Sequence, residues 1–176
     1  LLSTKPAEFW RKQSEKKALA LLHAASRQVP AYKDFLKKQK VNPRSVKTIS
    51  DFKNVPISNK ENYIRAYSLE SRSWGGNVSS SSLLTMSSGT SGQPTFWTRG
   101  AYQEFEAAIT HELLYRYLFD IHTHKTLLLI GFPMGIYVSG VATLLPSWLV
   151  AQKNYNLTVA GIGTNTQDLL KVADLL

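Results

Sequence analysis

The sequence predicts an α/β protein with N-terminal helices, a strand pair around a Gly/Ser-rich loop, and a parallel strand-helix-strand-helix unit. Three observations carry this expectation. Apolar residues recur at helical spacing among good helix formers in the first forty residues. Two short apolar runs, Leu83–Met86 and Thr95–Thr98, flank a glycine-bearing turn. Beyond Thr126, glycines and prolines cut a charge-free stretch into strand, turn and helix, and a further strand and helix follow.

From Pro6 to about Gln28 the apolar residues Phe9, Trp10, Leu21, Leu22 and Ala25 mark an amphipathic helix that Val29-Pro30 ends. Pro30 suits the first turn of a second helix through Lys38, with Tyr32, Phe35 and Leu36 on one face. Ser50-Asp51 and Pro56 punctuate the next stretch. A capping box is expected at Ser58, with Glu61 reaching back and Tyr63 and Ile64 turned inward. Residues 68–82, rich in Ser, Gly and Asn, read as a surface loop or linker.

Leu83–Met86 then forms a buried strand that delivers a turn to a fixed place, and Thr95–Thr98 continues as its partner. Ala101 to about Phe119 is a long helix with Tyr102, Phe105, Ile109 and Leu113 as core positions. Thr126–Ile130 is a strand, a helix begins near Ile136, Asn156–Ala160 is the next strand and Gln167–Leu175 the last helix. The charge-free run from Thr126 to Gln152 is long enough to span a bilayer. Gly131, Pro133, Gly135, Gly140 and Pro146 interrupt it, and flanking aromatic anchors are not in the usual arrangement, so no membrane span is expected.

A chain of 176 residues with 43% hydrophobic residues can bury the core of one ordinary domain. The absence of Cys excludes disulfides, thiolate metal sites and a cysteine nucleophile. No charged segment precedes an apolar stretch at the N-terminus, so a cytoplasmic protein is expected. The formal charge of +9 is unevenly spread: residues 1–65 hold 15 Lys and Arg against 5 Asp and Glu, whereas residues 66–176 hold 6 against 7. The basic residues fall on the wet faces of two helices, and the nearby aromatics sit at core spacing, not interleaved as stacking platforms. A nucleic-acid partner is therefore not expected.

The segment from Ser87 to Thr95 reads SSGTSGQPT. Its glycines let the backbone turn and approach a ligand, its hydroxyls donate hydrogen bonds, and backbone N–H groups in such a turn can cradle an anion. The loop suits phosphate. No Lys follows its second glycine, so it departs from the GxxxxGK[ST] pattern, and charge neutralisation has to come from Mg²⁺ or from basic residues elsewhere.

This segment resembles the signature loop SSGTTGxPK of the adenylate-forming superfamily, and especially the phenylacetate-CoA ligase branch, where Thr often replaces the final Lys as Thr95 does here. Four further segments are similar in order. Val29–Tyr32 is similar to that branch's VPFY, and Val55–Glu61 to its LPFTTKED. Gly135–Gly140 is similar to GLFTGG, and Gly161–Thr166 to PxGGNT.

The resemblance implies a carboxylic acid activated by ATP as an acyl-adenylate and transferred to a thiol, with ATP, Mg²⁺ and coenzyme A as cofactors. It implies that Ser87, Ser88, Gly89, Thr90, Ser91 and Gly92 hold the β- and γ-phosphates while Thr95 closes the loop. Met134 and Tyr137, at positions that are aromatic in relatives, would border the acyl or aryl pocket. The resemblance assigns no catalytic residue here, because the later motifs for adenine, Mg²⁺ and ribose, and the catalytic Lys of a mobile C-terminal domain, would lie beyond Leu176. Residues 1–176 thus read as a partial N-terminal AMP-binding domain: a basic helical region over 1–67, the loop and phosphate-loop hairpin over 68–98, and a helix with the parallel α/β unit over 99–176. Such a piece is expected to expose a sheet edge and apolar surface, and either to self-associate or to lack a C-terminal part. A non-catalytic phosphate-binding module acting with a partner chain, and a basic nucleic-acid-binding domain, are the alternatives.

Asp120, His122 and His124 offer two imidazoles and a carboxylate within FDIHTHK. Without a further ligand pattern this is a solvated connection, and no metal site is expected. There is no Gly-x-Ser-x-Gly elbow for hydrolase chemistry.

Overall fold

Helices α1 (Ala7–Gln28) and α2 (Pro30–Lys38) open the chain in the computed structural model, which describes residues 4–89 and 92–174. The chain divides into two compact units, Leu1–Ser80 and Ser81–Leu176. In the first unit, Pro30 stands at the first position of α2, where its missing N–H costs nothing, as expected. Leu22, Val29, Ala31, Phe35 and Leu36 are buried, and each large apolar side chain among them contributes roughly 1.5–3 kcal/mol. Phe9 and Leu21, expected inside, are exposed. Both stand off the side of α1 that carries buried Leu22 and Ser26, and periodicity alone did not separate the two sides.

Tyr32, Phe35, Tyr63 and Tyr67 form a chain of ring contacts over α2. Tyr67 donates from its hydroxyl to Asp34 Oδ2 at 2.8 Å, and Lys38 Nζ lies 2.7 Å from the same oxygen. These hydrogen bonds, that from Lys38 foremost, hold the Asp34 carboxyl below its ordinary range.

Three local expectations are corrected in this unit. Residues Ile49–Phe52 form a helical turn, α3, capped reciprocally by Thr48 and Asp51. The expected cap at Ser58 lies one residue later: Asn59 accepts from the amides of Glu61 and Asn62, and Asn62 accepts from the Asn59 amide at 2.7 Å. The turn it starts, Lys60–Ile64, is a π-helical turn closed by the Arg65 amide on the Lys60 carbonyl. Finally, the Ser/Gly/Asn stretch is not simply a loop. Ser68 caps a short helix, α4 (Leu69–Arg72), and a 3₁₀ turn follows over Trp74–Gly76.

The second unit begins with β1 (Leu83–Met86), paired antiparallel with β2 (Phe96–Arg99) in the register Leu83↔Arg99 to Met86↔Phe96. The expected hairpin is present. Helix α5 (Ala101–Phe119) follows, then β3 (Thr126–Ile130), α6 (Val138–Ala151), β4 (Leu157–Gly161) and α7 (Thr166–Ala173). Strands β3 and β4 are parallel, Thr126 opposite Leu157 and Ile130 opposite Gly161. Ala108, Tyr115, Ile121, Val150 and Leu157 make the core of this unit, against which Leu128 and Val159 pack. Pro146, read as a breaker, sits inside α6 and is fully buried.

The inward face of α5 is not the one expected. Glu104, Ala108 and Tyr115 are buried, whereas Tyr102, Phe105 and Ile109 are 75%, 58% and 51% exposed and Leu113 is half-buried. Apolar and polar residues are interspersed on every side of the helix, so spacing does not choose a face. Two contacts do: Arg99 of β2 pairs with Glu104 at 2.6 Å, and the Tyr115 hydroxyl meets Ser147 of α6.

Among the described residues no helix is long and apolar enough to cross a membrane.

Candidate functional site

The loop stands at the tip of the β1–β2 hairpin, and its neck is closed twice. The Ser87 amide donates to the Thr95 carbonyl at 2.9 Å, and the Thr95 amide donates to Ser87 Oγ at 3.0 Å. The accepting side of the Ser87 hydroxyl is thus engaged in holding the neck, while its proton stays available to a ligand. Inside the neck the Gly92 amide donates to the Gly89 carbonyl at 2.9 Å. Gly89 has φ +70°, and a Cβ there would lie 2.9 Å from the Gly92 carbonyl oxygen and 3.0 Å from Pro94 N. Only glycine fits without moving the loop. Ser88, Gly92 and Thr95 are described alongside these residues, with Ser88 and Gly92 exposed and Thr95 half-buried. Thr90 and Ser91, also expected to hold phosphate, lie outside the described residues.

A second backbone link sets what the loop faces. The Met86 amide donates to the Ile136 carbonyl at 2.9 Å, and Met86 forms a parallel bridge with Tyr137. The end of β1 is thereby tied to the turn that leaves the carboxyl end of β3 and starts α6. The carboxyl ends of parallel strands are where α/β sheets bind ligands. Met134 and Tyr137, expected as pocket walls, both stand on this turn and are half-buried. Tyr137 is the N-cap of α6. Met134 lies over the end of β4, where a Cβ on Gly161 would fall 2.5 Å from its Cε and 3.4 Å from Leu144 Cδ1. Gly161 therefore makes the seat that Met134 occupies.

Phe132 and Ile136 on the same turn are 50% and 42% exposed. Neither has a site role on sequence grounds; the available signal was apolar residues inside a Gly/Pro turn. The Arg99 guanidinium at the end of β2 is committed to Glu104. The described residues contain no group of three or more His, Cys, Asp or Glu able to hold a metal ion. His124 accepts or donates at 2.9 Å with the Thr123 hydroxyl and, like His122, is exposed.

No family model and no curated protein sequence matches the chain. Solved structures do. The chain is similar to 2-hydroxyisobutyryl-CoA ligase in complex with 2-HIB-AMP and CoA in the thioesterification state, with TM-score 0.75 and 18% identity over 98% of this chain and 36% of that one. It is similar to the same ligase in the postadenylation state with 2-HIB-AMP, with TM-score 0.73 and 17% identity over 98% and 35%. An open conformation with 2-HIB-AMP and CoA gives TM-score 0.68 and 16% identity over 91% and 34%. The chain spans about a third of the length of these ligases and matches part of the fold of an adenylate-forming CoA ligase.

Proposed function

We propose that this chain is the N-terminal, phosphate-loop-bearing part of an ATP-dependent acid-CoA ligase of the phenylacetate-CoA ligase type. The observation that carries the reading is the Met86–Ile136 hydrogen bond, which ties the end of β1, just before Ser87, to the turn that leaves the carboxyl end of β3. The described part of the loop suits the phosphates of ATP: the Ser87 and Ser88 hydroxyls precede a glycine whose missing side chain lets the turn close tightly. Thr90 and Ser91 belong to the same cradle on sequence grounds.

In this reading a carboxylate attacks the α-phosphorus of ATP, pyrophosphate leaves, and a thiol such as coenzyme A captures the acyl group from the adenylate. The contribution of this chain is positioning: it holds the β- and γ-phosphates and borders the acid with Met134 and Tyr137. It offers no three-ligand acidic cluster for Mg²⁺ among its described residues, so the ion would enter on the nucleotide. A cytoplasmic location goes with this reading.

A second reading is a non-catalytic phosphate-binding module that acts with a partner chain. The exposed apolar face of α5 favours it, because that face has the character of a covered surface.

Titration calorimetry with ATP·Mg²⁺ tests the loop. The wild-type chain is expected to bind and Gly89→Val to lose binding at unchanged circular dichroism, because the valine Cβ strikes the Gly92 carbonyl. Equal heats from both proteins would remove the phosphate role of the loop. Acyl-adenylate formation on adding the downstream part of the ligase in trans separates the enzyme from the binding module.

A further inference from the structure

The basic excess of the N-terminal unit is gathered around one concavity. A cavity of about 830 Å³ opens between the end of α1, helix α2 and the 3₁₀ turn Pro43–Ser45, and Arg27, Lys33, Lys37, Lys40 and Arg44 line it. None of these five side chains makes an ion pair among the described residues. Asp34, the carboxylate on the wall, is bound by Lys38 and Tyr67 and also feels the charge of Lys37. The floor is apolar, with Leu36 buried and Val41 and Pro43 half-buried.

Solvated lysines on a helix face need no explanation, but two features distinguish this group. The cations surround a hollow of ligand size, not a convex ridge. The negative ends of α1 and α2 supply only about half a charge each, too little to balance five cations. Moreover, Lys40 has φ +57° in the turn that closes α2, where the Val41 amide reaches back to the Leu36 carbonyl at 2.9 Å. That position ordinarily belongs to glycine, and a lysine there keeps a cation on the rim against a conformational cost.

We infer that this cavity binds a small anion carrying at least two phosphate groups, held by the Lys33, Lys37, Lys40 and arginine side chains over the apolar floor. The site lies wholly within the N-terminal unit and does not depend on the Ser87–Thr95 loop. The lining holds His23 but no Phe, Tyr or Trp, so it lacks a platform for successive stacked bases.

The test titrates the full chain with inorganic tripolyphosphate and with fructose 1,6-bisphosphate, following backbone amide shifts by NMR. Saturable shifts are expected at residues 23–44 and should persist in Gly89→Val, which separates this site from the loop. Lys33→Glu/Lys37→Glu should weaken binding about tenfold, and the milder Lys33→Gln/Lys37→Gln about threefold. Lys16→Glu/Lys53→Glu carries the same charge change away from the cavity and should alter affinity by less than about twofold. Equal losses in the two charge-reversed proteins would show a diffuse effect of net charge and overturn the inference. So would shifts that never saturate, or duplex DNA binding tighter than tripolyphosphate at equal salt with a steep loss on raising salt.

Discussion

The Tyr115 hydroxyl lies 2.6 Å from the Ser147 hydroxyl, both residues buried where α5 packs on α6. Ser147 Oγ also donates to the Thr143 carbonyl at 2.6 Å, so the proton in the shared contact is that of Tyr115. The two partners are therefore not equivalent. Ser147→Ala strands a buried phenol and should cost about 1–3 kcal/mol, whereas Tyr115→Phe leaves Ser147 satisfied and should cost about 1 kcal/mol. Urea denaturation measures both, and a larger loss for Tyr115→Phe would refute the assignment.

Burial raises the Tyr115 phenol above its ordinary pKa. The unfolded chain then gives up this proton first. The contribution is whole below the unfolded value of about 10 and is lost as pH rises through the folded value. Wild-type melting temperature should fall on the alkaline side of that point more steeply than that of Tyr115→Phe; parallel curves would contradict this.

Glu112 ties α5 to the segment between α6 and β4, accepting from Lys153 Nζ at 2.5 Å and from the Tyr155 hydroxyl at 2.6 Å. Burial pushes its carboxyl up, but the Lys153 and Tyr155 hydrogen bonds prevail and hold it below the ordinary value. Its stabilisation is present above the unfolded pKa of about 4.3 and disappears as pH falls through the folded one. Glu112→Gln should therefore cost about 1 kcal/mol at neutral pH, and the gap from wild type should close in acid. A gap constant with pH would assign the effect to packing.

Phe105 and Ile109 project from the outer side of α5, both more than half exposed. Two such side chains on one face favour association, each worth up to about 1.5–3 kcal/mol when covered. Sedimentation velocity should show wild-type chains associating with rising concentration and Phe105→Glu/Ile109→Lys remaining monomeric. A monodisperse wild-type monomer across that range would exclude self-association.

Lys40 holds a left-handed conformation at φ +57° just past α2. Lys40→Gly should raise stability by about 0.5–1 kcal/mol in thermal denaturation, since the Cβ is the source of the strain. A loss of stability would mean that the lysine stem packs more than its exposure suggests.

Much of the chain was legible as sequence because the governing forces are local. Pro30 starts α2, Gly100 precedes α5, and the glycine-bearing turn of Gly131–Gly135 separates β3 from α6 with the expected bounds or nearly so. The glycine at the tip of the β1–β2 hairpin was legible for the same reason: a tight turn between two strands needs glycine wherever φ is positive, as at Gly89. Other features depend on competition between near-equal local options. Asn59 displaced Ser58 as a cap because Asn62, and not Glu61, was placed to return the hydrogen bond.

Strand and helix type, the order of elements and the glycine requirement of the loop are thus properties of the sequence, set by periodicity and backbone sterics. The inward face of α5, the tie from Met86 to Ile136 and the gathering of cations about one hollow are properties of the tertiary structure. A helix with apolar residues on every side has no preferred face until a partly buried ion pair such as Arg99–Glu104 and a partner such as Ser147 select one. Likewise, residues 50 positions apart meet at the loop only because the parallel packing of β3 and β4 with α6 brings their turn to the end of β1.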